Sequence, residues 1–345
     1  MMKVGILGAT GMVGQRFIQL LEEHPWFEIK ALMASSRSAK KSYEEVAKWY
    51  LKEEIPDEIS GMIVEEINEE VINEFNLDLV FSAIPSDIAR EIEASFAQKI
   101  PVFSNTATYR MEEDVPLIIP EVNPDHLTLV KDQGKTRGWN GFIVTNPNCT
   151  TIGLVPPLKP VMDEYGIDWV NVATMQALSG AGYDGVPSMA IIDNVIPFIK
   201  NEDEKVEKET VKILGNVKKA ADFDVFASCN RVSVRDGHTE SVFVQTKKDF
   251  SVEDVKEVFR KFRGEPQKLK LPFAPEEPIV VMDKVDRPQP LFDRDLGRGM
   301  SISVGRIRRG KARLLKYTCL SHNTIRGAAG ASILNAELAY KKNML

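Results

Sequence analysis

The chain has 345 residues, 43% of them hydrophobic, which is enough apolar material for about two globular domains at roughly 100–200 residues each. Its formal net charge of -6 excludes the basic surplus expected of a nucleic-acid-binding protein. No apolar run reaches the roughly 20 residues that span a bilayer, and MMKVGILGATGMVG has no signal-peptide h-region with a cleavage site. Residues 3–7 read as a short buried strand, 8–14 as a glycine-rich turn, 15–23 as a helix and 28–33 as a second strand. Strands over 77–84, 101–105, 117–120 and 142–145, with a helix over 87–98, continue the alternation, so a mostly parallel sheet covered on both faces is predicted.

After about residue 149 the texture changes. Strand-like runs over 168–177, 225–234, 239–246, 278–282, 300–307 and 313–320 alternate with polar residues and lie close together, which predicts a second domain built on a mixed, largely antiparallel sheet. A highly charged helix is expected over 201–214, a surface helix over 252–263 and a final helix over 324–342. The fold class is therefore α/β: a Rossmann-type parallel-sheet domain plus an α+β domain.

The segment GATGMVG, Gly8 to Gly14, follows a strand and opens a helix. In that setting glycines let the backbone approach a pyrophosphate, and the helix presents free N–H groups and its positive dipole end. At the end of the second strand stand Ser35, Ser36, Arg37 and Ser38 where an acidic residue would select a free ribose hydroxyl. Hydroxyls and a guanidinium suit a 2′-phosphate, so the expected cofactor is NADP.

Three cysteines, an odd and sparse set, fit a reducing cytosol rather than a disulfide framework. No CxxC or HExxH spacing is present, so no metal is expected. Cys229 and Cys319 lie inside strand-like runs and read as small buried residues. Cys149, in TNPNCTTIG, stands after a strand and a turn where a helix begins. A helix N-terminus lowers a thiol pKa, and its N–H groups can hold an oxyanion. Pro156 and Pro157 fit that helix only near its first turns, or kink it. In NRVSVRDGH, Arg231 offers paired donors to a carboxylate and His238 can move protons beside a thiolate. His24 and His126 are expected on the surface, and His322 is a weaker candidate for lining a site.

Taken together, GATGMVGQ, ASSRSAKKSY, SNTATYRMEEDVPLIIPEVNP, GFIVTNPNCTT, TMQALSGAGYDGVPS, NRVSVRDGH and SHNTIRGAAGASILNAEL resemble the aspartate-β-semialdehyde dehydrogenase family, in its archaeal and fungal branch. They run in family order along essentially the whole chain. The resemblance implies NADPH-dependent reduction of L-aspartyl-4-phosphate to aspartate semialdehyde and phosphate, in lysine, threonine and methionine biosynthesis. It implies Cys149 as thioester nucleophile, His238 as general acid/base and Gln176 as the residue orienting the thioester. Arg231 would bind the substrate carboxylate, Arg110 and Lys205 the phosphate, and Glu202 the amino group. Cofactor contacts would fall on Gly8, Thr10, Gly11, Met12, Val13, Ser35, Arg37, Ser38, Ser179, Gly180 and Asn323. The last helix would return to the nucleotide domain, giving an NADP-binding domain of 1–148 and 323–345 and a catalytic and oligomerisation domain of 149–322. Expected partners are the acyl-phosphate substrate and phosphate, with no nucleic acid or membrane, in a cytoplasmic homodimer or homotetramer. Rival readings are malonyl-CoA reductase, which shares the thioester chemistry, acetylglutamyl-phosphate reductase, and a non-catalytic NADP-binding sensor.

Overall fold

A computed structural model describes residues 1–345. The chain divides into two compact units, one of Met1–Ile118, Asp125–Asn146 and Ala328–Leu345, the other of Ile119–Pro124 and Pro147–Gly327.

The first unit is built on six parallel strands: β1 (Met2–Leu7), β2 (Phe27–Ala34), β3 (Val64–Glu66), β4 (Leu79–Ser82), β5 (Val102–Ser104) and β6 (Ile143–Thr145). Their order, β3-β2-β1-β4-β5-β6, is the doubly wound order of dinucleotide-binding sheets. β4, β5 and β6 are wholly buried, as apolar strands covered on both faces must be. Helix α1 (Met12–Leu21) turns Phe17, Ile18 and Leu21 inward, and Phe17 stacks on Phe81 at 4.8 Å. Each such aromatic, fully buried, contributes about 1.5–3 kcal/mol. Helix α2 (Ser86–Ala97) buries Ala89, Glu93, Phe96 and Ala97 on one stripe. Glu93 survives burial because Ser82 and Ser104 donate to its carboxylate at 2.7 Å and Thr106 at 3.2 Å. Burial nonetheless pushes its pKa up, against those hydroxyls and the charge of Arg110.

Several expectations change here. Residues 117–120 form no strand; Leu117 makes only an isolated bridge to Thr145. β3 was hidden from the pattern by its brevity and its two glutamates. The final helix is two elements, a π-turn over Ile325–Ala329 and an α-helix over Gly330–Lys341. Nor is either histidine on the surface. His24 is buried beside Phe27, accepts the N–H groups of Trp26 and Phe27 on Nδ1, and meets Glu337 at 2.8 Å through Nε2. His126 is buried in the short 3₁₀ helix Pro124–Leu129.

The second unit carries the mixed sheet. Its strands are β7 (Ile167–Gln176), β8 (Asp224–Arg231), β9 (His238–Thr246), β10 (Ile279–Met282), β11 (Ile302–Arg309) and β12 (Leu314–Ser321), in the order β10-β11-β12-β9-β7-β8. The pairs β11/β12, β12/β9 and β9/β7 are antiparallel and the two outer pairs parallel. β9 alternates strictly between buried and half-buried residues, the mark of a sheet with one covered face. Helices α3 (Thr151–Tyr165), α4 (Glu202–Leu214) and α5 (Val252–Lys261) belong to this unit. α3 holds Pro156, Pro157 and Pro160, each removing a backbone donor. Burial of its residues from Thr151 to Leu158 offsets that loss. No helix of the chain is long and apolar enough to cross a membrane.

Candidate active site

Three neighbouring strand ends in the second unit converge. β7 and β8 run parallel with Gln176 paired to Arg231, and β7 and β9 run antiparallel with Met175 paired to Thr239. Register alone therefore puts Gln176, Arg231 and His238 at one edge of the sheet, although 62 positions separate the first from the last.

Cys149 comes two residues before the first residue of α3 and is half-buried. Its Sγ lies 3.1 Å from Nε2 of His238. Nδ1 of the same ring accepts the backbone N–H of Ala177 at 3.0 Å. A neutral imidazole with Nδ1 occupied as acceptor carries its proton on Nε2, so the ring donates towards the sulfur. Protonating Nδ1 would set two N–H groups against each other. Complete burial, with the charges of Arg231 and His322, also disfavours the cation, and the imidazole pKa is pushed down to about 3.

Arg231 is tied to the same residue, Nη1 donating to the Ala177 carbonyl at 2.6 Å. A Cβ at Gly180 would sit 3.0 Å from that nitrogen and 3.2 Å from the His238 ring, so a side chain there would make both give by a few tenths of an ångström. On another side, a Cβ at Gly327 would lie 2.8 Å from Cβ of Cys149. The π-turn thus presses bare backbone against the cysteine, and the buried pair of Arg326 with Glu121 at 2.7 Å and 2.9 Å holds it there. Gln176 is buried, its amide reaching only Thr174 at 3.4 Å.

Burial fixes the register of the charged helix. Val206, Thr210, Ile213 and Leu214 face inward, and Glu202 and Glu209 share that face. Lys205 stands 3.6 Å from Glu202 and is about one-third exposed. Asn148 receives both carboxylates: its Nδ2 donates to Glu202 at 2.9 Å and its backbone N–H to Glu209 at 2.6 Å. Its Oδ1 accepts the N–H groups of Thr150 and Thr151, capping the start of α3. Glu209 was missed in the sequence. An i, i+7 glutamate pair on an apolar stripe was the one available signal for Glu209.

The expected cofactor residues fall into two sets. Ser179, Gly180 and Asn323 are in the second unit, where Asn323 donates to Ser179 at 2.8 Å and accepts the Gly237 N–H at 2.8 Å. The rest are in the first unit. Gly8 has φ +84°, and a Cβ there would meet the Ala83 carbonyl at 2.7 Å. One at Gly14 would meet the Gly8 carbonyl at 2.2 Å. Thr10, Met12 and Val13 complete the turn, and no side chain caps the helix at Gly11, so its first N–H groups remain open to an anion. Ser35 and Arg37 are exposed just beyond β2, with the Ser38 N–H donating to the Ser35 carbonyl. These residues fit a dinucleotide phosphate chain. Arg110 also belongs to the first unit, buried and donating to the Asn105 carbonyl at 2.8 Å.

Comparison with known proteins identifies the family. The family models "Semialdehyde dehydrogenase, NAD binding domain" and "Semialdehyde dehydrogenase, dimerisation domain" match residues 3–130 and 158–326. The aspartate-semialdehyde dehydrogenase of Methanothermobacter thermautotrophicus is 56% identical over 98% of this chain and 99% of its own. The chain belongs to the aspartate-semialdehyde dehydrogenase family. A crystal structure of the family's Candida albicans enzyme with NADP superposes with a TM-score of 0.91 at 44% identity, covering 100% of this chain and 99% of that one. A malonyl CoA reductase (NADP) from Metallosphaera sedula is 39% identical over 100% of this chain and 98% of its own, well below the identity to the archaeal family member.

Proposed function

We propose that this chain is an NADP-dependent aspartate-semialdehyde dehydrogenase, reducing L-aspartyl-4-phosphate to L-aspartate 4-semialdehyde in lysine, threonine and methionine biosynthesis. The observation that carries the reading is the 3.1 Å contact between Cys149 Sγ and a His238 whose other nitrogen is already an acceptor. It fits a thiolate held by a neutral donor.

The Cys149 sulfur attacks the substrate carbonyl, the C–O bond to phosphorus breaks, and a thioester remains. Phosphate leaves with the one proton that the overall reaction consumes. The cofactor, when bound, supplies the hydride that makes the thioester carbon tetrahedral. His238 then donates its Nε2–H to the oxyanion. The carbon–sulfur bond breaks, aldehyde departs and the thiolate is restored. That collapse consumes no proton, so His238 serves as a hydrogen-bond donor and has no need to shuttle one. Arg231 binds the substrate carboxylate, Glu202 its ammonium group, Lys205 and Arg110 the phosphate, and Gln176 orients the thioester.

The chain assembles as a homodimer or homotetramer through the second unit. Met175, Tyr183, Phe198 and Phe226 are exposed there, and a family model for dimerisation covers these positions. Light scattering on the purified protein reads the mass directly; a monomer would refute this.

The test is NADPH formation from aspartate semialdehyde and phosphate, run beside malonyl-CoA-dependent NADPH oxidation. Phosphate-dependent activity on the semialdehyde is expected, and activity on malonyl-CoA alone would overturn the substrate. Cys149→Ala should lower kcat by about 10⁴-fold or more, as nucleophile removal does in covalent enzymes; full turnover in that variant would refute the thioester.

A further inference from the structure

The mechanism above uses Glu202 but leaves its neighbour idle. Glu209 is 2% exposed, two turns further along the same stripe of α4, among Val206, Thr210 and Ile213. Desolvating a carboxylate is costly, and an apolar residue would fill that stripe at lower cost. The group is placed where it accepts the backbone N–H of Asn148 at 2.6 Å, one residue before the nucleophile. At this distance the contact is a short, well-formed hydrogen bond.

We propose that Glu209 is a positioning residue for the nucleophile: by accepting the Asn148 N–H it sets the turn that presents Cys149 to His238. Asn148 has no freedom left once this bond is made. Its side chain is already divided between Glu202 on one side and the N–H groups of Thr150 and Thr151 on the other. The Asn148 carbonyl accepts the Ile152 N–H at 3.0 Å within the start of α3, and Glu209 fixes the other main-chain group, the N–H that faces back into the turn. Through Asn148, the carboxylate proposed to meet the substrate ammonium and the turn that carries the sulfur become one hydrogen-bonded unit. This inference rests on Cys149 as nucleophile.

The experiment separates contact from charge and reads the thiol directly. Glu209→Gln keeps an acceptor at the same reach without the charge. Glu209→Asp keeps the charge and withdraws the acceptor by one methylene. Both are assayed for kcat and KM in phosphate-dependent semialdehyde oxidation, and for the rate of Cys149 alkylation by iodoacetamide, located by peptide mass spectrometry. Glu209→Gln should stay within about threefold of the parent in both readouts, with the midpoint of the alkylation pH profile unmoved. Glu209→Asp should lose about 30-fold or more in kcat with KM nearly constant, and about tenfold in alkylation rate, since an error of about 1 Å in a reacting group costs on that order. A folded Glu209→Asp with parental alkylation and kcat would overturn the proposal. So would a Glu209→Gln that falls as far as Asp or moves the pH midpoint, because charge would then be the working property. Should Glu209→Asp fail to fold, Glu209→Leu, which removes the acceptor at similar size, takes its place: parental alkylation and kcat in a folded Glu209→Leu would overturn the proposal. If Cys149→Ala kept full turnover, the proposed chemistry would fail, while the alkylation series would still report on the turn.

Discussion

The two sheets of this chain hold chemistry in different ways. In the first unit β4, β5 and β6 are short and wholly buried, and the turn after β1 offers backbone shaped by its glycines. In the second unit β7 and β9 are long and alternate, and with β8 their ends deliver side chains, Gln176, Arg231 and His238, in fixed register. A site made of backbone is sensitive to any added atom. A site made of side chains is sensitive first to which group stands there.

Added bulk should therefore break the first site most. In Gly14→Ala the new Cβ would fall 2.2 Å from the Gly8 carbonyl, so the turn must open. NADPH affinity, read by fluorescence titration, should fall by about 100-fold, in line with the few kcal/mol that overpacking costs. The Cys149 alkylation rate should stay parental. Loss of both together would mean that the two units do not fail independently.

A smaller effect is expected from a conservative change in the second unit. Arg231→Lys keeps the charge and loses the planar fork that grips the Ala177 carbonyl and that we propose also binds the substrate carboxylate. KM for the semialdehyde should rise about 30-fold, roughly 2 kcal/mol, with a lesser effect on kcat. An unchanged KM would remove Arg231 from the substrate's carboxylate.

The smallest effect sharpens the contrast through pH. Glu240, two residues after His238 on β9, is fully buried, and desolvation raises its pKa well above the usual carboxylate value. The folded state thus keeps a proton that the unfolded chain releases near pH 4.5, so the stability this group contributes declines as pH rises above that point. Glu240→Gln removes the dependence. The Tm of the variant minus that of the parent should grow from pH 5 to pH 9, by a few degrees if the effect is about 1 kcal/mol. A gap that stays constant over that range would show that Glu240 does not titrate as described.

How much of this was readable beforehand follows the same division. The alternation of strands and helices, the glycine turn and the strand texture of the second half are local patterns, and they were legible. The convergence of Gln176, Arg231 and His238 is a matter of register between strands, which no local pattern carries; the family motifs supplied it. His24 was misread because its partner, Glu337, is 313 positions away. The charged helix hid its buried face until Val206 and Ile213 revealed it, and with it Glu209. The last helix looked continuous because small residues serve a π-turn as well as an α-helix.

That π-turn bears on inhibition. An electrophile that captures Cys149 meets main chain at Gly327, where a β-carbon would come within 2.8 Å of the cysteine's own. Any side chain added at this position would shift Cys149 itself, so the flank facing Gly327 admits no enlargement that leaves the cysteine in place.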